Sequence, residues 1–207
     1  MLGGLSGYRG AGRRNPSIRR LDVTGTSAKR VSRAPGEPSV HDEPSEIRRR
    51  FARNLRYARE AAGLTQYSLA RIASCSMRHL AKIETTAANV KLDMVTRLAR
   101  SLALAEVDLL LPDMDNIPIK RGRHRPPIEP LSKTEPTTIR QWFAHNLRAR
   151  REAAGLSQKE LSNAAGVQVS AVGVIEVHAT NVTLETVARL AKTLGVTEID
   201  LLGPGNG

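Results

Sequence analysis

Residues 47–70 read IRRRFARNLRYAREAAGLTQYSLA, and residues 139–162 read IRQWFAHNLRARREAAGLSQKELS. The two stretches stay in register at a constant offset of 92, which also joins Phe51 to Phe143, Gly63 to Gly155 and Leu110 to Leu202 without an insertion. A chain that carries one unit twice is expected to build one fold twice. Each unit spans roughly 65 residues, the size of a small compact domain.

The offset divides the 207 residues into four parts. Residues 1–44 are rich in Gly, Ser, Pro and Arg, lack a sustained apolar period, and read as a disordered basic tail. Repeat 1 occupies 45–111 and repeat 2 occupies 137–203. Between them, residues 112–136 hold six prolines, which forbid a continuous helix. A semi-extended, basic linker that separates the two domains is expected there.

Each repeat reads as five short helices, so the fold class is all-α. Ile47, Phe51, Leu55 and Ala58 form the apolar stripe of a first helix, with Ser45 as its N-cap and Gly63 at its left-handed end. Thr65 caps a second helix; in repeat 2 the same place is Ser157-Gln-Lys-Glu160, a capping box. Ser76 caps a third helix after the short turn Ser74-Cys75-Ser76, a helix-turn-helix spacing. Leu92, Val95, Leu98, Ala99 and Leu102 mark a fourth helix, and Val107, Leu109 and Leu110 a short fifth.

The residues Leu55-Arg56, Arg59, Gly63-Leu64-Thr65-Gln66, Leu69-Ala70, Ala73, Ser76, Ile83-Glu84, Asn89, Leu92, Leu98-Ala99, Leu102 and Leu109-Leu110 form one spaced pattern. That pattern resembles the Cro-like (XRE-type) helix-turn-helix family of phage and bacterial repressors. Repeat 2 meets most of it, and the tail and linker meet none.

The resemblance implies that helix three lies in the major groove with its N-terminal residues on base edges. Carried over by position, the readers are Ser76, Met77, Arg78, His79 and Lys82 in repeat 1, and Gln168 and Ser170 in repeat 2. Arg78 suits the two acceptors of guanine and Met77 a thymine methyl. Gln66 and Gln158 open helix two, where the family places a phosphate contact. Arg59 with Glu84, and Arg151 with Glu176, correspond to the family's buried ion pair and belong to structure. The loop after helix three is usually basic in the family; here it is Thr85-Thr86-Ala87-Ala88-Asn89 and Val177-His178-Ala179-Thr180-Asn181. The phosphate grip then falls to Arg48, Arg49, Arg53 and Arg56 of helix one, to the Asn side chains, or to the arms. In the linker, Arg121, Arg123 and Arg125 resemble an AT-hook core and are minor-groove or backbone candidates.

Charge sharpens the division. The net charge of +12 points to double-stranded DNA as partner. Repeat 1 holds twelve basic and six acidic residues, whereas the stretch from 137 onward holds seven and six. Repeat 1 is thus equipped for phosphate attraction and repeat 2 barely is. Helix three of repeat 2, Gln168 to Glu176, carries Val169, Val172 and Val174, read as an exposed apolar face that meets protein. Two arrangements follow: both repeats on one asymmetric or direct-repeat site, or repeat 1 on DNA and repeat 2 as the contact of a homodimer. Charge favours the second.

Other classes fare worse. With aromatics at 3%, an RNA-stacking surface is poorly supplied. The single Cys75 and the scattered histidines give no metal-ligand spacing, no catalytic constellation appears, and no cofactor is expected. Without a long apolar run, no membrane association is expected, and the location is read as cytoplasmic and nucleoid-associated. The expected function is a sequence-specific transcriptional regulator, a repressor; the alternative is an anti-activator or adaptor that binds protein through repeat 2.

Overall fold

Apolar spacing sets the first helix. The computed structural model describes residues 43–114, 117–119 and 137–204; nearly all of the tail, and the linker run with Arg121, Arg123 and Arg125, lie outside these residues. Helix α1 (Glu46–Ala61) buries Ile47, Phe51, Leu55 and Ala58 along one stripe. Gly63, at φ +70°, then takes the left-handed conformation. The bonds Gly63 N–H to Glu60 O (2.9 Å) and Leu64 N–H to Arg59 O (3.0 Å) close a Schellman-type end. Helix α2 (Gln66–Ile72) starts where the Thr65 hydroxyl accepts from Ser68 N–H, and α3 (Met77–Thr86) where the Ser76 hydroxyl accepts from His79 N–H. Helix α4 (Leu92–Leu102) follows. The fifth element of repeat 1 is a 3₁₀ turn, Asp108–Leu110, shorter than the helix expected there.

Repeat 2 runs through α5 (Thr138–Ala153), α6 (Gln158–Ala164), α7 (Ala171–His178), α8 (Leu184–Leu194) and α9 (Glu198–Leu202). The Ser157–Glu160 capping box is formed. Ser45 stands at the N-cap of α1, but its buried hydroxyl has no hydrogen-bond partner among the described residues. Helix α7 begins at Ala171 rather than at the expected Gln168. Gln168 replaces the capping Ser76 and Ser170 makes no side-chain cap, so the residues before Ala171 form only a turn closed by Ala171 N–H to Gln168 O (2.8 Å). A buried asparagine ties each first helix to the end of its repeat. Asn54 Nδ2 donates to Leu109 O and Leu111 O (3.2 and 2.8 Å), and Asn146 Nδ2 to Leu201 O and Gly203 O (3.2 and 2.9 Å).

The two repeats are not held apart. Both fall within one compact unit, Ser39–Gly207, and meet along a seam. Leu92 N–H donates to Val182 O (3.0 Å) and Leu184 N–H to Val90 O (2.9 Å), an antiparallel bridge centred on Lys91 and Thr183. Asn181 Oδ1 accepts from Asp93 N–H (3.1 Å), and Asn89 Oδ1 from Glu185 N–H (3.3 Å). Each asparagine thus caps the fourth helix of the other repeat. For α4 the borrowed cap matters, because its own N-cap, Lys91, has only donors to offer. Arg48 pairs with Glu185 (3.4 Å) and Arg140 with Asp93 (3.3 Å). Every one of these contacts recurs with its partners exchanged at the offset of 92, the signature of a twofold, self-complementary interface within one chain. The expectation of domains spaced by the linker is therefore corrected: hydrogen bonds, ion pairs and buried leucines close the gap.

Duplication also exposes local strain. Ser74 (φ 51°) and Ala103 (φ 55°) are left-handed where repeat 2 has Gly166 (φ 62°) and Gly195 (φ 66°). A Cβ disfavours that conformation. Ser74→Gly and Ala103→Gly are each expected to stabilise the fold by about 1 kcal/mol, read as a higher midpoint in thermal unfolding. An unchanged or lower midpoint would contradict the assignment.

Candidate nucleic-acid interface

The interface is built on a buried ionic clamp. Arg59, on α1, forks onto Glu84, on α3, with Nε to Oε1 at 2.7 Å and NH2 to Oε2 at 2.9 Å. The Glu84 side chain is only 2% exposed. The Arg59 NH1 also donates to Leu64 O (3.0 Å), which fixes the turn into α2. The hydrogen bond that Arg59 donates to Glu84 raises the Arg59 pKa above its ordinary value against the cost of burial, so the guanidinium stays charged. Arg151 and Glu176 repeat the fork at 2.6 and 3.0 Å. The clamp ties α1 to α3 as a buried ion pair, as the family resemblance implied.

Gln66 and Gln158 join the clamp. Their amide nitrogens donate to Glu84 (2.9 Å) and Glu176 (2.8 Å). Only the second amide N–H of each is left for a phosphate. A Cβ at Gly173 would lie 2.8 Å from Gln158 Oε1, whereas repeat 1 makes the same bond with Ala81 at that place, so the glycine is not required for it.

The outer face of α3 carries the expected readers together. Ser76, Met77, Arg78 and Lys82 are exposed, Met77 by 52%, and His79 is half-buried. Arg78 and Lys82 are one turn apart on the same face. Among the described residues neither head group has a hydrogen bond or ion pair. Two neighbours went unread in the sequence: Tyr67, 65% exposed, and Arg71, also exposed, lie one turn apart on α2. The i, i+4 spacing beside Gln66 was the available signal.

The basic residues of α1 are already engaged. Arg48 donates to Ala87 O (2.9 Å) and pairs with Glu185 across the seam. Arg49 pairs with Glu46 (3.3 Å), Arg53 donates to Pro112 O (2.9 Å), and Arg56 pairs with Glu60 (3.0 Å). Asn89 and Asn181, read as phosphate donors, use their side-chain oxygens as seam caps, which leaves their amide N–H groups as donors.

In repeat 2, Gln168 and Ser170 are exposed in the turn before α7. Val169 is 53% and Val174 43% exposed, but Val172 is fully buried. The apolar face read from the sequence therefore loses Val172 to the core and gains Val177, which is exposed at the helix end. Burial raises the pKa of the Cys75 thiol above its usual range. Among the described residues no group of three or more His, Cys, Asp or Glu is arranged to hold a metal ion. No described helix is long and apolar enough to cross a membrane.

The helix-turn-helix domain family matches residues 50–111, and a second helix-turn-helix family matches residues 147–201. The chain is a tandem XRE-type helix-turn-helix regulator. This DNA-binding regulator is similar over part of its length to several solved structures. One is a hypothetical transcription factor, NHTF, from Neisseria, with 31% identity over 36% of this chain and 86% of that one (TM-score 0.32). Another is the restriction-modification controller protein C.AhdI from Aeromonas hydrophila, with 34% identity over 31% and 98% (TM-score 0.30). A third is the clp gene regulator ClgR from C. glutamicum, with 26% identity over 34% and 90% (TM-score 0.31). A search of curated proteins finds no significant match to the tandem regulator.

The clamp and the surface pairs should separate cleanly. Arg59→Ala leaves Glu84 buried without its partner and is expected to cost about 3–5 kcal/mol. Arg56→Ala removes an exposed pair and should cost less than about 1 kcal/mol. Urea unfolding of both variants checks the contrast, and equal losses would contradict it.

Proposed function

We propose that this regulator is a sequence-specific repressor that reads the major groove with α3 and lays its two domains on the two halves of one inverted site. The observation that carries this reading is the reciprocal seam. Domains related by a twofold suit half-sites related in the same way, centred roughly 10 base pairs apart in such complexes. A direct repeat does not suit that relation. A homodimer, the arrangement favoured by charge alone, becomes unnecessary when one chain supplies both halves. Occupancy of promoter DNA by such a unit would exclude polymerase, acting in the cytoplasm at the nucleoid.

Within the site, Arg78 is the principal reader. Its planar fork suits guanine O6 and N7, and Lys82 extends the same face toward a base or phosphate. Tyr67 and Arg71 flank that face and suit the DNA backbone. The protein-binding alternative draws on the exposure of Val177 at the end of α7. A mobility shift that shows no sequence preference at roughly 150–200 mM salt would favour it.

Arg78→Ala is expected to lower affinity for the specific site by roughly 5- to 150-fold, while Ser170→Ala does little. Footprinting of both variants on the same duplex checks this. A larger loss from Ser170→Ala would overturn the assignment of the charged reading to repeat 1.

A further inference from the structure

The seam exchanges repeat 1 for repeat 2, so each position on α3 has a counterpart at or just before α7. Val169 stands where Met77 stands, Ser170 where Arg78 stands, and Val174 where Lys82 stands. Val169 and Val174 are half-exposed, and Gln168 and Ser170 lie exposed beside them. Repeat 2 thus presents an amide, a valine, a hydroxyl and a second valine at the places where repeat 1 presents a hydroxyl, a methionine, a guanidinium and an ammonium group. None of these four residues is used in the seam or the clamp.

From this we infer that the two halves of the DNA site differ in chemistry: the half under repeat 2 is an A·T-rich sequence recognised through thymine C5-methyl groups. The inference rests on the twofold reading of the seam proposed above. A branched apolar side chain meets a thymine methyl in the major groove and has nothing to offer guanine. The Gln168 side-chain amide, with its NH2 as donor and its carbonyl as acceptor, matches the acceptor and donor of adenine. The low charge of repeat 2 fits this division, because methyl contacts add affinity without releasing counterions. Repeat 1 then anchors the chain through charge, and repeat 2 adds discrimination.

The full-length chain, with a pool of random duplexes, provides the test. Duplexes enriched by the wild type should hold two dissimilar, inverted half-sites, and Arg78→Ala should relax the choice of bases in one of them. In the other half, replacing thymine by uracil deletes only the methyl groups. The wild type should lose roughly fourfold in affinity for each methyl it buries. Val174→Ala, at a half-exposed position that leaves the core filled, should bind the thymine and uracil duplexes with a smaller difference. Equal affinity of the wild type for the two duplexes would overturn the inference while leaving the DNA reading intact. A duplex with two identical halves would overturn it as well. If no duplex is enriched, the DNA reading falls and the inference falls with it.

Discussion

The arrangement depends on four residues from each repeat, 90–93 and 182–185. Their backbones bridge the repeats in antiparallel fashion, and asparagines from the two loops cap each other's fourth helix. A seam of this kind joins elements that are already well ordered, so it costs little conformational entropy to form. It also fixes the third helix of each repeat, because the loop that enters the seam is the one that ends α3 or α7. Arg48 and Arg140 reinforce that link, each donating to the carbonyl at the end of its own helix three and pairing across the seam.

Below the seam, each domain separates its polar groups by purpose. The Arg59–Glu84 and Arg151–Glu176 forks are buried and multiply hydrogen-bonded, as a buried charge must be. Asn54 and Asn146 satisfy carbonyls that the last turn of each repeat leaves open. These groups set shape. The side chains left without such duties on α2 and α3, Tyr67, Arg71, Arg78 and Lys82, are exposed. Charge counted along the sequence did not distinguish the two sets, because four of the arginines credited to phosphate contact are engaged within the protein.

Much of this was legible beforehand. The offset of 92 announced two copies, and helical spacing with Gly63, Thr65 and Ser76 gave the elements and their ends. The clamp followed from the family pattern. What escaped was long-range. Nothing in the spacing of Asn89 or Asn181 says that each reaches a helix of the other repeat, and a proline-rich linker looks the same whether its ends are apart or together. Val172 escaped although its copy was readable: it stands 92 residues after Leu80, which is fully buried in repeat 1, and fills the same core place in repeat 2. The copies themselves were the better guide: where they differ, at Ser74 and Gly166, the difference marks strain, and the change from Lys82 to Val174 underlies the proposed difference between the two half-sites.

One chain is proposed to do the work of a dimer. The most direct test is the stoichiometry of the complex on a selected duplex, measured by analytical ultracentrifugation with the protected bases mapped in parallel. One chain per duplex, with both half-sites protected, is the result expected. Two chains per duplex, each protecting one half-site, would contradict it.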